Sequence, residues 1–158
     1  MYRIGFSEDI HPFKENRKLY LGGIYFENEM GLDGHSDADV VLHSVAEAIL
    51  GALNLGDLGD HFPDNDPKYK DISSSLLVKE VVSLMDKEGY EINNIDVQIA
   101  AKRPRLSDKK NLIKENIAKL LKTDIKNVSI KAMSNNNVGP IGKGEAIKSS
   151  TIVLLKRK

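Results

Sequence analysis

Residues 36–52 read SDADVVLHSVAEAILGA, and this stretch decides how the rest of the fold is interpreted. Its apolar residues recur at helical spacing, which predicts a helix over 37–52. Ser36 is the predicted N-cap, because a serine hydroxyl can accept a hydrogen bond from a free N–H of the first turn. Asp37 and Asp39 fall in that turn, where carboxylates interact favourably with the helix dipole. The stretch therefore predicts the first helix of the chain.

The segments on either side of this helix carry strand and helix patterns in turn. Residues 2–11 and 19–26 are rich in strand-forming side chains and predict two strands, with a turn at Lys14–Arg17. Further along, two helices are predicted to begin at Ser73–Ser75 and Ser107-Asp108, and three strands to cover 95–99, 128–132 and 147–155. This order predicts an α+β fold, an α/β sandwich in which about three helices pack on one face of a mixed sheet.

The composition indicates one domain with no charge bias. A chain of 158 residues suits a single domain spanning 1–158 and can bury a core without disulfide or metal cross-links. Cysteine is absent, which excludes disulfides, thiolate metal sites and cysteine nucleophiles. With 23 basic and 23 acidic residues, neither nucleic acid nor a membrane is expected as a partner. The start of the chain does not look like a signal peptide, so we expect a soluble intracellular protein.

All four histidines lie between positions 11 and 61, and two of them can share a metal ion with an aspartate. Asp9 and His11 are two residues apart, so on a strand both project from the same side. His35 and His43 flank the start of the predicted helix. Two imidazoles and one carboxylate are a known zinc complement that leaves a fourth position open. Such residues are also common on solvated surfaces, and spacing alone leaves both interpretations open.

Four other segments carry groups that suit an anionic or polar ligand. His35 and Ser36 precede the helix, where free N–H groups attract phosphate. The acidic stretch 54–72 is a long loop that can bind a sugar hydroxyl or a metal, or be merely solvated. Lys102–Arg105 is either an anion contact or a solvated strand end. Residues 135–145 form a turn-rich loop that can present N–H donors to phosphate but lacks the Walker pattern.

Together these motifs resemble one family. The DIH of residues 9–11, the GHSDADVVLH of 34–43, the LGDLG of 55–59 and the FPD of 62–64 resemble the 2-C-methyl-D-erythritol 2,4-cyclodiphosphate synthases. The resemblance runs along nearly the whole chain in the same order. It implies a phosphorus–oxygen lyase of the non-mevalonate isoprenoid (terpenoid) pathway. Such an enzyme cyclises 4-diphosphocytidyl-2-C-methyl-D-erythritol 2-phosphate to the cyclic diphosphate and releases CMP.

The resemblance also implies an assembly and a location. It implies a homotrimer with active sites between neighbouring subunits. It implies a bacterial cytoplasm, or a plastid-type organelle entered after removal of a leader. It further implies two divalent ions, a Zn²⁺ and a second ion, Mg²⁺ or Mn²⁺.

Individual roles follow from the same resemblance. Asp9, His11 and His43 match the zinc ligands, and His35 and Ser134 match the catalytic positions that contact phosphate. Asn136 stands where the family has the glutamate that binds the second metal. The matching substrate-binding residues are Ser36 for the β-phosphate, Asp57 and Gly59 for the ribose, Phe62, Pro63, Asp64, Asn65 and Asp66 near the erythritol, Ala101, Lys102, Arg103, Pro104, Arg105 and Leu106 for cytosine, and Asn135 and Lys143.

Three positions depart from the family pattern. Asn136 offers an amide oxygen, which can ligate a hard cation without a formal charge. Pro140 and Lys143 replace a phenylalanine and an arginine that the family associates with the central cavity of the trimer. Two hypotheses therefore remain open: an active synthase with a weakened magnesium site, or a weakened relative that binds zinc and cytidine nucleotides. A third hypothesis is a zinc hydrolase in which His61 or Asp60 serves as base. No feature of the sequence, however, selects water over the internal phosphate as the nucleophile.

Overall fold

Seven strands and five helices make up the fold, and a computed structural model describes residues 1–158. The strands are β1 Tyr2–Lys14, β2 Leu19–Leu21, β3 Ile24–Phe26, β4 Gly31–Leu32, β5 Tyr90–Ala100, β6 Val128–Met133 and β7 Ala146–Arg157. The helices are α1 Val40–Leu53, α2 Leu58–His61, α3 Ser74–Lys87, α4 Lys110–Leu120 and α5 Gly139–Lys143. None of these helices combines the length and the apolar character that a membrane crossing requires.

One mixed sheet contains five of the strands, in the order β4-β1-β7-β5-β6. Strand β7 is antiparallel to both β1 and β5, and β6 is parallel to β5. Strands β1, β5 and β6 therefore run in the same direction and end at the same edge. Ile10 of β1 and Ala100 of β5 both pair with Lys148 of β7, so the end of β5 lies level with Ile10, four residues before β1 ends. The predicted strand over 19–26 is instead a hairpin of β2 and β3.

The core lies between the sheet and three long helices. Helices α1, α3 and α4 pack on one face of the sheet and on one another. Alternate residues of β7 point toward these helices and are buried, namely Ile147, Ser149, Thr151, Val153 and Leu155. Helix α3 begins after the N-cap Ser73, as its sequence predicts. The predicted α+β fold with a mixed sheet is confirmed.

Helix α1 begins later than its sequence predicts. It starts at Val40, and its N-cap is Asp39 rather than Ser36. The Asp39 carboxylate accepts a hydrogen bond from the N–H of Leu42 at 3.0 Å. The Ser36 hydroxyl accepts from the N–H of Ala38 instead, which closes a turn ahead of the helix. Both residue types are good caps, and Asp39 takes the position because its carboxylate also accepts from N–H groups outside the helix.

Asp39 also fixes the hairpin to this helix. Its carboxylate accepts hydrogen bonds from the N–H groups of Gly22 at 2.9 Å and Gly23 at 2.6 Å. Burial raises the pKa of the Asp39 carboxyl, and the Asp37 charge adds to that rise, while the backbone donors oppose it. One buried side chain thus joins two elements that are distant in sequence.

Two other predicted boundaries are wrong. The third long helix, α4, begins at Lys110 rather than at Ser107-Asp108. The Ser107 hydroxyl is engaged with the Arg105 guanidinium and the Asp108 carboxylate, so it caps no helix. The stretch 54–72 is not a continuous loop, since it contains α2 and a 3₁₀ turn at Pro67–Tyr69.

The second face of the sheet carries exposed apolar side chains. Ile4 and Phe6 of β1 are 71% and 61% exposed, and Ile10 is 53% exposed. Ile152 of β7 pairs with Phe6 and is 48% exposed. Apolar side chains grouped in this way on adjacent strands are typical of an interaction surface.

Helix α1 approaches β1 closely at a glycine. A Cβ on Gly5 would lie 1.9 Å from the backbone oxygen of Ala48, so only glycine fits there. One turn earlier on α1, the Ser44 hydroxyl lies 2.7 Å from that of Ser149 and 2.8 Å from that of Thr151 on β7. Small side chains and buried hydroxyl contacts therefore set the distance between this helix and the sheet.

We predict that Gly5→Ala destabilises the protein by about 1–3 kcal/mol or more, because α1 must shift away from β1. The matched control is Gly51→Ala in α1, where an added Cβ meets nothing within 4 Å. That change should stabilise the helix by up to about 1 kcal/mol. Urea unfolding at one fixed protein concentration measures both effects. Equal midpoints for Gly5→Ala and the unmutated chain would contradict the close approach.

Candidate functional site

Asp9, His11 and His43 converge where β1 passes the first turn of α1. The Asp9 Oδ2 atom lies 2.9 Å from His11 Nε2 and 3.2 Å from His43 Nδ1. The three ligand atoms all lie within 4.8 Å of one another. Ligands of a tetrahedral zinc with bonds near 2.0–2.1 Å are separated by roughly 3.4 Å. The donor types and their spacing therefore fit a zinc ion that keeps one position open.

The two histidines turn opposite ring nitrogens toward this point. His11 Nδ1 lies 2.5 Å from the backbone oxygen of Asp33, so it can donate its proton there and leave Nε2 free as a ligand. His43 is reversed, because Nδ1 faces Asp9 and Nε2 faces two hydroxyls. The rings meet edge to face with centroids 5.4 Å apart. Each ring is thus oriented through the nitrogen that does not face the site.

The electrostatics of the triad suit a cation. Burial alone raises the pKa of Asp9, but hydrogen bonds from His11 and His43 outweigh it and hold the pKa well below its usual range. Burial likewise lowers the pKa of His11, and the Asp9 carboxylate more than compensates, so that pKa is raised. Asp9 therefore stays ionised, and a divalent ion can take the place of protons on the imidazoles.

The triad opens into a cavity of about 390 Å³. Predicted site residues that line it are Asp9, His11, His35, Ser36, His43, Gly59, Phe62 and Asp64. His35 Nε2 is buried there and has no hydrogen-bond partner in the protein. Because a buried polar atom is costly without a partner, this nitrogen suits contact with a ligand.

A second cavity, of about 370 Å³, lies at the same edge of the sheet, beside the ends of β5 and β6. Its lining includes the predicted residues Ala101, Lys102, Pro104, Arg105, Leu106 and Ser134. Arg103 does not line it, since its guanidinium lies over the Phe13 ring at 5.0 Å. Strand β7 separates β1 from β5, so the two cavities are about 10 Å or more apart along the sheet.

Eight predicted residues line neither cavity, and these are Asp57, Pro63, Asn65, Asp66, Arg103, Asn135, Asn136 and Lys143. Asp57 forms a capping box with Asp60 at the start of α2, and Asp66 caps the following 3₁₀ turn. Asn136 is exposed in a left-handed turn with φ of 49°. His61 and Asp60 also lie outside both linings, and His61 Nε2 contacts the Leu55 carbonyl at 2.8 Å.

Sequence reasoning missed Arg17, which holds the segment around His35. Its guanidinium donates to the backbone oxygens of Leu32 and Ser36 and to the Asp71 carboxylate. The Asp71 N–H in turn donates to the His35 oxygen at 2.9 Å. The far end of the 54–72 segment is therefore anchored to the backbone that carries His35. No local motif marks this role, because the partners are distant in sequence.

Glu47 and Ser74 were missed as well. Glu47 follows His43 by one helical turn on α1 and lines the first cavity, a position that the i, i+4 spacing could have indicated. Burial raises the pKa of Glu47, and its carboxylate accepts a hydrogen bond from the Leu58 N–H. The Ser74 hydroxyl contacts His43. In the sequence, Ser74 is only one of the three serines that predict the start of a helix.

Comparison with known proteins agrees with this geometry. The YgbB family model matches residues 2–156. A 2-C-methyl-D-erythritol 2,4-cyclodiphosphate synthase of Brachyspira hyodysenteriae is 52% identical over 155 residues, covering 98% of each chain. The same-named protein of Geotalea uraniireducens is 48% identical and covers 99% of each chain.

Solved structures give the same result. The bifunctional IspDF of Campylobacter jejuni matches all of this chain, which spans 43% of that protein, with a TM-score of 0.95 and 39% identity. The CDP complex of Plasmodium falciparum IspF matches with a TM-score of 0.87 and 34% identity over 99% of this chain and 97% of that one. The chain therefore belongs to the YgbB family, together with relatives named 2-C-methyl-D-erythritol 2,4-cyclodiphosphate synthase.

Proposed function

We propose that this chain is a 2-C-methyl-D-erythritol 2,4-cyclodiphosphate synthase that releases CMP from its cytidyl diphosphate substrate. The observation that carries the proposal is the Asp9, His11 and His43 triad, which lines a cavity together with His35 and Ser36. Relatives that match the chain from end to end carry the same name. The reaction needs no side-chain nucleophile, which agrees with a cavity that has metal ligands and no cysteine.

In this reaction the 2-phosphate of the substrate attacks its own β-phosphorus. A bond forms between a 2-phosphate oxygen and that phosphorus, and the bond to the oxygen shared with the α-phosphate breaks, so CMP leaves. The task of the protein is to hold two anionic groups in line, and positioning can supply up to about 7–11 kcal/mol. A bound zinc ion supplies positive charge that offsets the repulsion between them. His35 and Ser36 line the same cavity and would bind and orient the β-phosphate.

The second cavity suits the cytidine part of the substrate. Lys102 and Arg105 provide positive charge, and Ala101 and Leu106 provide an apolar wall. Because the two cavities of one chain are separate, we propose that a complete active site joins the zinc cavity of one subunit to the cytidine cavity of its neighbour. A relative in complex with CDP supports cytidine recognition in this family.

A homotrimer would bring such half-sites together, and the exposed apolar face of β1 and β7 would form its interior. We predict that light scattering on the eluted unmutated protein gives the mass of three chains. Phe6→Glu should give monomers, because each copy would bury an unpaired charge at a cost of several kcal/mol. Leu112→Glu, on an α4 residue that is 47% exposed, is the control and should remain trimeric. A monomeric unmutated chain would contradict this assembly.

The triad is tested by release of CMP from the cytidyl substrate with zinc and excess magnesium. We predict that His43→Ala lowers the rate by more than about 100-fold, because one of three zinc ligands is lost. His61→Ala removes a histidine outside the cavity and should retain the activity. Absence of CMP from the unmutated protein at every metal concentration would refute the synthase proposal.

Asn136 favours a second candidate function, a weakened relative that binds zinc and cytidine nucleotides. If the second metal is the weak point, Asn136→Glu should lower the magnesium concentration that gives half-maximal rate. Asn137→Glu is the control, because Asn137 shares the left-handed turn, with φ of 64°, and has no predicted metal role. Equal magnesium dependence in Asn136→Glu and the unmutated chain would mean that the amide suffices or that another group binds the ion.

A further inference from the structure

The nitrogen of His43 that faces away from Asp9 contacts a serine of another helix. His43 Nε2 lies 2.9 Å from the hydroxyl oxygen of Ser74, the first residue of α3. That hydroxyl oxygen lies 2.5 Å from Asp37 Oδ1, and the Ser74 N–H donates to Asp37 Oδ2 at 2.9 Å. Ser74 is completely buried. A histidine, a hydroxyl and a carboxylate therefore form a continuous chain of contacts behind the triad.

The donors and acceptors along the contacts from His43 through Ser74 to Asp37 can be assigned in one order. When an ion is bound to the triad, His43 Nδ1 must offer it a lone pair, so the ring proton then lies on Nε2. This Nε2–H donates to the Ser74 oxygen, and the Ser74 O–H donates to the Asp37 carboxylate. The distance of 2.5 Å agrees with a hydroxyl that donates to an ionised oxygen. Every donor then has an acceptor, and the other tautomer of His43 would break the order.

We propose that Ser74 and Asp37 are positioning residues for metal binding, which rests on the proposed function because the ion is the zinc of the triad. The Ser74 hydroxyl, polarised by its hydrogen bond to the Asp37 carboxylate, becomes a stronger acceptor for the imidazole N–H. It thereby fixes the His43 tautomer, holds the ring in its orientation and makes Nδ1 a stronger ligand. A carboxylate that is hydrogen-bonded directly to a metal-ligating histidine orients the ring and raises its basicity in this way. Here the Ser74 hydroxyl lies between the carboxylate and the histidine.

Ser36 is a less suitable partner for this role. Its hydroxyl also lies 3.0 Å from His43 Nε2, but it lines the cavity, and its other contact is the Ala38 N–H rather than a carboxylate. It is also the residue proposed to contact the β-phosphate, so its hydroxyl is needed by the substrate. Ser74 does not line the cavity. It can therefore serve His43 whether or not a ligand is bound.

The position of Ser74 also links metal binding to the packing of two helices. His43 belongs to the first turn of α1, and Ser74 opens α3. Asp37 precedes α1 and accepts from the first residue of α3. The three residues therefore join the beginnings of both helices, and a substitution of Ser74 by alanine removes only the hydroxyl from this joint.

The test measures the zinc dissociation constant of the full chain by competition with a chromogenic chelator. We expect Ser74→Ala to weaken zinc binding about 10- to 100-fold. Ser74→Thr keeps a hydroxyl and should bind zinc nearly as the unmutated chain does. Ser75→Ala, one residue further along α3 and outside this network, is the control and should leave the constant unchanged.

A double-mutant comparison shows whether Asp37 acts through Ser74. Asp37→Asn alone should weaken zinc binding, by less than Ser74→Ala does. In the Ser74→Ala background it should cause no further loss, because the link to His43 is already gone. Asp37→Asn also keeps the proposal testable if Ser74→Ala does not fold, since loss of zinc affinity is then expected from it alone.

Two results would overturn the proposal, and they have different meanings. If Ser74→Ala lowers the urea midpoint of the metal-free chain but leaves the zinc constant within twofold, Ser74 is only structural. The proposed synthase would then stand, because the unmutated chain would still bind zinc and release CMP. If the unmutated chain binds no zinc, both this inference and the metal-assisted function are wrong.

Discussion

The close contact between α1 and β1 is the constraint on which the site depends. Where Gly5 faces the backbone of Ala48, no side chain separates helix from strand. Four residues further along β1, the same proximity lets Asp9 meet His43 at 3.2 Å. The triad is therefore assembled by backbone packing before any ion binds, and rigid elements of this kind hold ligands more accurately than loops.

The sheet topology explains why the binding groups lie at one edge. Strands β1, β5 and β6 run toward the same edge, where β1 carries Asp9 and His11 and the segments after β5 and β6 carry residues 101–106 and 134–136. Helix α2 and the Arg17 contacts anchor both ends of the 54–72 segment, so Phe62 and Asp64 reach the first cavity from a supported loop. Phe62 and Asp64 are thus held by fixed structure, which is what substrate positioning in the proposed reaction requires.

Local patterns predicted the long helices and strands, and the family resemblance singled out Asp9, His11 and His43, whereas contacts between distant residues escaped both. The alternation of β1 and the helical spacing behind Asp39 are short-range signals, and the motifs with Asp9 and His43 lie on those elements. The capping residue of α1 was misassigned, because the choice depends on the N–H groups of a hairpin far back in the chain. Arg17 and Ser74 bind partners 54 and 31 residues away, and no local pattern encodes such pairs.

Strand β1 serves two surfaces through its alternation. Gly5, Asp9 and His11 point toward the helices, while Phe6 and Ile10 point to the exposed apolar face. Because successive side chains face opposite ways, a slip of one residue against β7 would exchange the two sets. Asp9 and His11 would then face outward, and the side chains of Phe6 and Ile10 would collide with α1. The candidate metal triad and the exposed apolar face therefore depend on one register, and a one-residue insertion that shifts this register would disrupt both together.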